Sequence, residues 1–208
     1  MKRVVLIPFI LILMSLCSAK AIGYNIINPS FENGLVGWTR TNIWDPAMGS
    51  GVQSYFATDG TYSLQIFSGA DMSNTIGNNR GAYQNVSLTD IPQILFDVKL
   101  SSHYYGAPSV FRDYAAMFLI DGIPYWTQTV EGTYLNQIVD VSAQFGSHQI
   151  ELRLECIKDE NYAPSCWSEW DNLRAIPEPA TLLLFGLGSL ALLRKHRSEK
   201  RKAKSAKP

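Results

Sequence analysis

Tyr114-Ala115-Ala116-Met117-Phe118-Leu119-Ile120, then Asp121-Gly122, then Ile123-Pro124-Tyr125-Trp126-Thr127-Gln128 is the stretch that decides the fold. Two apolar runs joined by Asp-Gly predict a β-hairpin, because Asp-Gly supplies the positive backbone angles of a tight primed turn. On its N-terminal side Ile94, Phe96, Val98 and Leu100 alternate with Leu95, Asp97 and Lys99, as in a strand with one face buried. On its C-terminal side His148, Ile150, Leu152, Leu154 and Cys156 alternate with Gln149, Glu151, Arg153 and Glu155. Further strands are expected at Tyr24 to Ile27, Ser63 to Phe67, Ala82 to Leu88, Gln137 to Val141 and Trp167 to Arg174. No amphipathic helix interrupts them. Many short strands separated by Gly, Asn, Asp and Ser turns predict an all-β fold, an antiparallel β-sandwich.

The two ends are of another kind. Lys2 and Arg3 precede an apolar stretch from Val4 to Leu16, and Ala19-Lys20-Ala21 offers small residues for cleavage. This is the layout of a secretory signal peptide over residues 1–21, so the mature chain is expected to start near Ile22. Cys17 follows the bulky Leu16, where a lipobox wants a small residue, and it falls within the discarded segment. At the other end Ile176-Pro177-Glu178-Pro179 precedes an uncharged run from Ala180 to Leu193, then Arg194-Lys195-His196-Arg197 and a lysine-rich tail to Pro208. Two prolines one residue apart exclude helix or central strand, so Pro177, Glu178 and Pro179 form an extended linker. Fourteen uncharged residues fall short of a roughly 30 Å hydrocarbon core and on length alone suit a buried or interfacial helix. A helix continued from Pro179 through Arg197, with snorkelling basic side chains, spans it. The basic residues then place the tail, 194–208, on the cytoplasmic side.

Linker, apolar run and basic stop together resemble the PEP-CTERM sorting signal of Gram-negative bacteria. The resemblance implies an exported protein, held transiently in the inner membrane by a single transmembrane helix over 180–193. It also implies that an exosortase cuts near Pro177-Glu178-Pro179. The expected division is therefore a signal peptide (1–21), a sandwich domain (22–175) and a sorting signal (176–208).

Removing both ends changes the charge. The whole chain is neutral, but residues 22–175 carry 16 acidic against seven basic side chains, a formal charge of −9. Such a body disfavours nucleic acid and anionic lipid, since phosphate binding needs clustered Lys and Arg. Its length is one domain's worth, enough for a sizeable core.

A second resemblance runs through that body. Asn28-Pro29-Ser30-Phe31-Glu32-Asn33-Gly34 with Gly37-Trp38 is similar to the opening of the galactose-binding-like jelly rolls that include many carbohydrate-binding modules. Asp59-Gly60-Thr61-Tyr62-Ser63-Leu64-Gln65, Val139-Asp140-Val141-Ser142, the Gly146-Ser147-His148 turn and Trp170-Asp171-Asn172-Leu173 follow in the same order. The resemblance implies a structural calcium where the first and last strands meet, with Glu32 and Asp171 as carboxylate ligands and Asp59 as a further candidate. Hard oxygen donors suit that ion.

Chemistry-bearing residues are few. Cys156 and Cys166 alone remain after signal removal, and an oxidising compartment favours a disulfide between them, contributing about 3 kcal/mol by chain entropy. Two cysteines without flanking histidine supply too few ligands for zinc. His103 and His148 are the only histidines of the body, and His148, resuming a strand after a Gly turn, reads as structural. Ser189 in Gly-Leu-Gly-Ser lies inside the apolar run, not on a nucleophile elbow. Asp159 and Glu160, adjacent on one loop, cannot flank a scissile bond from opposite sides. Binding signal rests on aromatics beside turns, Trp44, Tyr55, Tyr104, Tyr105, Tyr125 and Trp126, whose rings can stack on sugar faces. Among them Trp44, Tyr105 and Trp126 are the foremost ligand-binding candidates. Phe31, Trp38, Phe96, Phe118 and Trp170 are expected to fill the core instead. The function expected is a non-catalytic surface or exopolysaccharide-matrix protein that binds polysaccharide. The alternatives are an extracellular polysaccharide hydrolase and a structural protein that binds another surface protein.

Overall fold

The computed structural model describes residues 26–41, 51–68, 75–103, 113–158 and 165–176. Ten strands build it: β1 (Thr39–Thr41), β2 (Gly51–Gln53), β3 (Ser63–Phe67), β4 (Asn79–Ser87), β5 (Gln93–His103), β6 (Tyr114–Ile120), β7 (Ile123–Gln128), β8 (Gly132–Asp140), β9 (Ser147–Cys156) and β10 (Ser165–Ile176). They pair antiparallel in two five-stranded sheets, a first of order β1-β4-β9-β6-β7 and a second of order β2-β3-β10-β5-β8. No α-helix occurs among the described residues.

The period of two decides the layers. Ile94, Phe96, Val98 and Leu100 of β5 face Tyr114, Ala116, Phe118 and Ile120 of β6 and Ile150, Leu152 and Leu154 of β9 across one core. At its centre Phe96 stacks on Phe118 with ring centroids 5.3 Å apart, and Trp170 leans on Phe96 at the same distance. The hairpin closes as its sequence requires: Asp121 and Gly122 both take positive φ, 50° and 78°. Phe31, Trp38, Phe96, Phe118 and Trp170 are all buried, in line with their assignment to the core.

Segment 26–38 departs from expectation. Ile26 and Ile27 are not strand; Asn28-Pro29-Ser30-Phe31-Glu32-Asn33-Gly34 instead runs as consecutive turns, with Phe31 N–H donating to Asn28 O and Gly34 N–H to Phe31 O. These turns drive the Phe31 ring, wholly buried, against Trp38 at 5.3 Å. Leu173 N–H donates to Pro29 O, which ties the opening to the closing strand. The expected Cys156–Cys166 disulfide is absent: both are buried, unbridged thiols. Cys156 ends β9 in the first sheet and its sulfur donates to Lys158 O at 3.3 Å, while Cys166 opens β10 in the second. Burial pushes the Cys166 thiol far up, which disfavours the thiolate that oxidation needs.

The sandwich has two distinct poles. One holds the Asp121-Gly122 turn, the 88–92 and 141–146 connections, and the end of β10, where Ile176 pairs with Gln93. At the other end the strands that flank residues 42–50, 69–74, 104–112 and 159–164. The signal peptide 1–21, the helix expected at 180–193 and the tail 194–208 lie outside the described residues, among which no helix is long and apolar enough to cross a membrane.

Candidate functional site

Glu32, Asp59 and Asp171 do come together, around the turn at residues 58–62. Asp171, wholly buried, accepts the N–H groups of Thr58 (2.5 Å) and Asp59 (2.8 Å) on Oδ2, which also lies 3.1 Å from the Thr58 hydroxyl oxygen, and the Asn172 N–H (2.7 Å) on Oδ1. Glu32 Oε1 accepts the N–H groups of Thr61 (2.7 Å) and Tyr62 (2.6 Å), and Asp59 Oδ2 accepts the Ser30 hydroxyl (2.7 Å). Burial raises the Asp171 carboxyl above its ordinary range, against the pull of these donors. Asp97, directly opposite Asp171 on β5, has the reverse balance. Burial opposes its charge, but the N–H of Asn136 at 2.6 Å, the Thr58 hydroxyl at 2.6 Å and the Asn172 amide at 3.0 Å hold it below the ordinary range.

These donors bear on the fit to calcium. Asp171 Oδ2 and Glu32 Oε1 each already accept two N–H groups, so a cation would compete with the protein for them. Among the described residues no group of three or more His, Cys, Asp or Glu is placed to hold a metal. The carboxylates act here as clamps on the turn that covers the outer face of the second sheet.

The aromatic candidates divide. Trp44 and Tyr105 lie outside the described residues. Trp126 is a correction: its pairing with Phe118 turns it inward, where it meets Phe96 edge-on at 5.4 Å, Trp170 at 5.7 Å and Tyr134 at 6.2 Å. Its indole N–H donates to Gln137 Oε1 at 3.3 Å and the ring is half-buried against the core, so it is a packing residue first. Tyr125 is similarly engaged, its hydroxyl accepting from the Gln144 amide.

A polar cluster that the sequence did not single out lies on the outer face of the first sheet. With Ile150, Leu152 and Leu154 turned into the core, Glu151, Arg153 and Glu155 of β9 point outward. Arg153 is fixed between the two carboxylates: Nε and Nη2 donate to Glu151 at 3.0 and 2.8 Å, and Nη1 to Glu155 at 3.1 Å. The Glu151 bonds hold the guanidinium charge firmly, raising its affinity for the proton further. Tyr83 of β4 stands opposite Glu151, and the Thr41 hydroxyl of β1 donates to Glu151 at 3.4 Å. Gly81 forms the floor. A Cβ there would lie 2.5 Å from Leu152 O, 2.8 Å from Thr41 Oγ1 and 2.9 Å from Glu151 Oε1, so only glycine lets these groups close over it. Glu151 is 3% exposed, and its outward neighbour Leu119 is 1% exposed, so these two positions are covered, while Arg153, Glu155 and Tyr83 beside them stay half-exposed. The Glu-x-Arg-x-Glu alternation of β9 was the available signal; it reads equally as a solvated face until the burial of Glu151 is known.

Residues 175–198 match the family described as the PEP-CTERM protein-sorting motif. No curated protein matches the chain. Among solved structures, the carbohydrate-binding module TmCBM61, solved with β-1,4-galactotriose, is similar at 13% identity and a TM-score of 0.44, over 74% of this chain and 97% of that one. The K3 adhesin domain of Lys-gingipain from Porphyromonas gingivalis is similar at 11% identity and a TM-score of 0.45, over 71% of this chain and 96% of that one. A CBM4 structure is similar at 16% identity and a TM-score of 0.40, over 74% of this chain and all of that one. The architecture stands on its own strand order and register, whatever the likeness. The sorting motif starts inside the fold: its first two residues, Ala175 and Ile176, still pair with Ile94 and Gln93 of β5. Such a motif implies export, a transient membrane anchor and processing by an exosortase. The chain is an antiparallel β-sandwich whose last strand runs directly into a PEP-CTERM protein-sorting motif.

Proposed function

We propose that this exported protein is a non-catalytic component of the cell surface or exopolysaccharide matrix, and that its sandwich binds polysaccharide on the outer face of the first sheet. The observation that carries the reading is Arg153, locked between Glu151 and Glu155 beside Tyr83. Three of its five N–H donors are committed to those carboxylates, so its plane is fixed and the remaining donors are pre-oriented toward a ligand. Rigid donors and acceptors next to one aromatic ring suit vicinal sugar hydroxyls and the apolar face behind them. Trp44 and Tyr105 belong to segments 42–50 and 104–112, which join strands at the pole nearest Glu155, and they are proposed to add stacking rings there. The body charge of −9 favours a neutral glycan over an anionic one. Glycosidase chemistry asks for one carboxyl kept protonated and a second across the scissile bond. Glu151 and Glu155, both paired with one arginine on one strand, are poorly disposed for it.

Pro177, Glu178 and Pro179 are proposed as the exosortase cleavage region. Replacing all three with alanine should leave the precursor in the inner membrane, and unchanged mature mass and location would refute that role. For the glycan, binding of the purified body to a panel of neutral and acidic polysaccharides is the test. Tyr83→Ala should weaken the strongest interaction by about fivefold or more, corresponding to roughly 1 kcal/mol for a lost stacking ring. Binding unaffected by Tyr83→Ala would move the ligand off this face. Affinity only for another surface protein would favour the structural-protein alternative.

A further inference from the structure

We propose that the pole of the sandwich bearing Ile176 rests on the surface of the bilayer that holds the precursor, with Phe145 and Ile123 seated in its headgroup layer. The inference rests on the membrane anchor implied by the sorting motif and adds a lipid-contacting surface to it. β10 stays paired with β5 through Ile176, and the apolar run begins at Ala180. Four Cα steps of 3.8 Å separate the two, so Ile176 lies within about 15 Å of the apolar run even if the connector is fully extended. A folded domain on so short a tether must hold one particular pole toward the lipid.

That pole carries apolar tips. Phe145 is 79% exposed, more than any other large apolar residue among the described ones, and Ile123 is 62% exposed. Phe145 sits in the 141–146 connection and Ile123 beside the Asp121-Gly122 turn, and the two are tied together. His148 bridges them, its Nδ1 2.7 Å from Asp121 Oδ2 and its Nε2 3.2 Å from Phe145 O. Rigid, exposed apolar residues at the tips of turns are suited to the interfacial layer, where an aromatic ring is favoured. The charges of the same pole choose the lipid. Asp90, Asp121 and Asp140 outnumber His148 and Arg174 there, so a zwitterionic surface fits and an anionic one repels.

The test uses the full chain with Cys156 and Cys166 left in their buried places, reconstituted in phosphatidylcholine vesicles. A polarity-sensitive dye is attached to Phe145→Cys, Ile123→Cys or, as a control at the opposite pole, Ile76→Cys, which is 59% exposed in the native protein. Emission at positions 145 and 123 should shift to the blue and be quenched by lipid-borne quenchers, while position 76 keeps its emission in water. Replacing the lipid with a phosphatidylglycerol-rich mixture at low salt should reduce the shift. Water-like emission at 145 and 123 in chains that float with the vesicles would overturn the proposal while leaving the anchor intact. So would equal shifts at all three positions. Chains that fail to float with vesicles would overturn the anchor itself, and with it this inference.

Discussion

His148 is bonded on both ring nitrogens to acceptors, the Asp121 carboxylate and the Phe145 carbonyl, so both nitrogens must donate and the ring is favoured as imidazolium. The Asp121 bond, chiefly, raises its proton affinity above the ordinary 6.5, and the Gln149 N–H and His148 hold Asp121 below 3.8. The histidine's contribution to stability is complete below pH 6.5 and is lost as pH rises through the raised native value. The aspartate's is complete above its ordinary value and is lost as pH falls through the depressed one. Stability measured against pH should therefore decline as pH rises beyond 6.5 in the native protein, and more steeply than in His148→Gln. An NMR titration placing His148 at or below 6.5 would contradict this. The histidine's structural role was legible from its place after the Gly146 turn; its charge was not, because the Asp121 partner lies 27 residues away.

The carboxylates of the 58–62 turn teach a related lesson. Their convergence was legible from the resemblance, but what they bind depends on backbone N–H directions that no sequence motif carries. Because those donors already fill Asp171 Oδ2 and Glu32 Oε1, chelation should leave the melting temperature unchanged. Gly60→Ala should lower stability by about 1–3 kcal/mol. Gly60 has φ +88° and a Cβ there would lie 2.5 Å from the Glu32 carboxyl carbon. A calcium-dependent gain in melting temperature, with the ion found in the purified protein, would reinstate the metal.

At the scale of elements, β3, β6 and β7 coincide with the expected spans, β6 and β7 because two apolar runs flank an Asp-Gly turn. β1 and β2 were missed because three residues on a sheet edge bury too little to leave a pattern. Half of β8 was missed because its pairing with β5 is broken by an irregularity between Phe96 and Val98, where Asn136 takes φ 52° and alternation shifts phase. The misreading of Trp126 has the same kind of cause. β7 has its own irregularity after the Phe118 pair, so counting from the turn does not tell which way the indole points. Its inward packing gives a prediction: Trp126→Ala should destabilise the sandwich by about 1–3 kcal/mol, less than for an aromatic wholly inside the core. Retained stability with lost glycan binding would return Trp126 to the ligand site.

The whole molecule is polarised. β10, in the middle of the second sheet, delivers the chain to the sorting motif at one pole, while the segments bearing Trp44 and Tyr105 join strands at the other. The all-β class and the address at the C-terminus were legible because each depends on local pattern. The polar cluster on the first sheet was not, because Glu151, Tyr83 and Thr41 come from three strands and meet only through register. The central claim is that this face binds glycan and does no chemistry on it. Binding and release of reducing ends should be measured together on one polysaccharide panel, with the wild-type body, Tyr83→Ala and Glu151→Gln. The account predicts measurable binding to a neutral polysaccharide, weakened in both variants, with no reducing ends released by any of them. Reducing ends released by the wild type and abolished in Glu151→Gln would contradict it and make the protein a hydrolase.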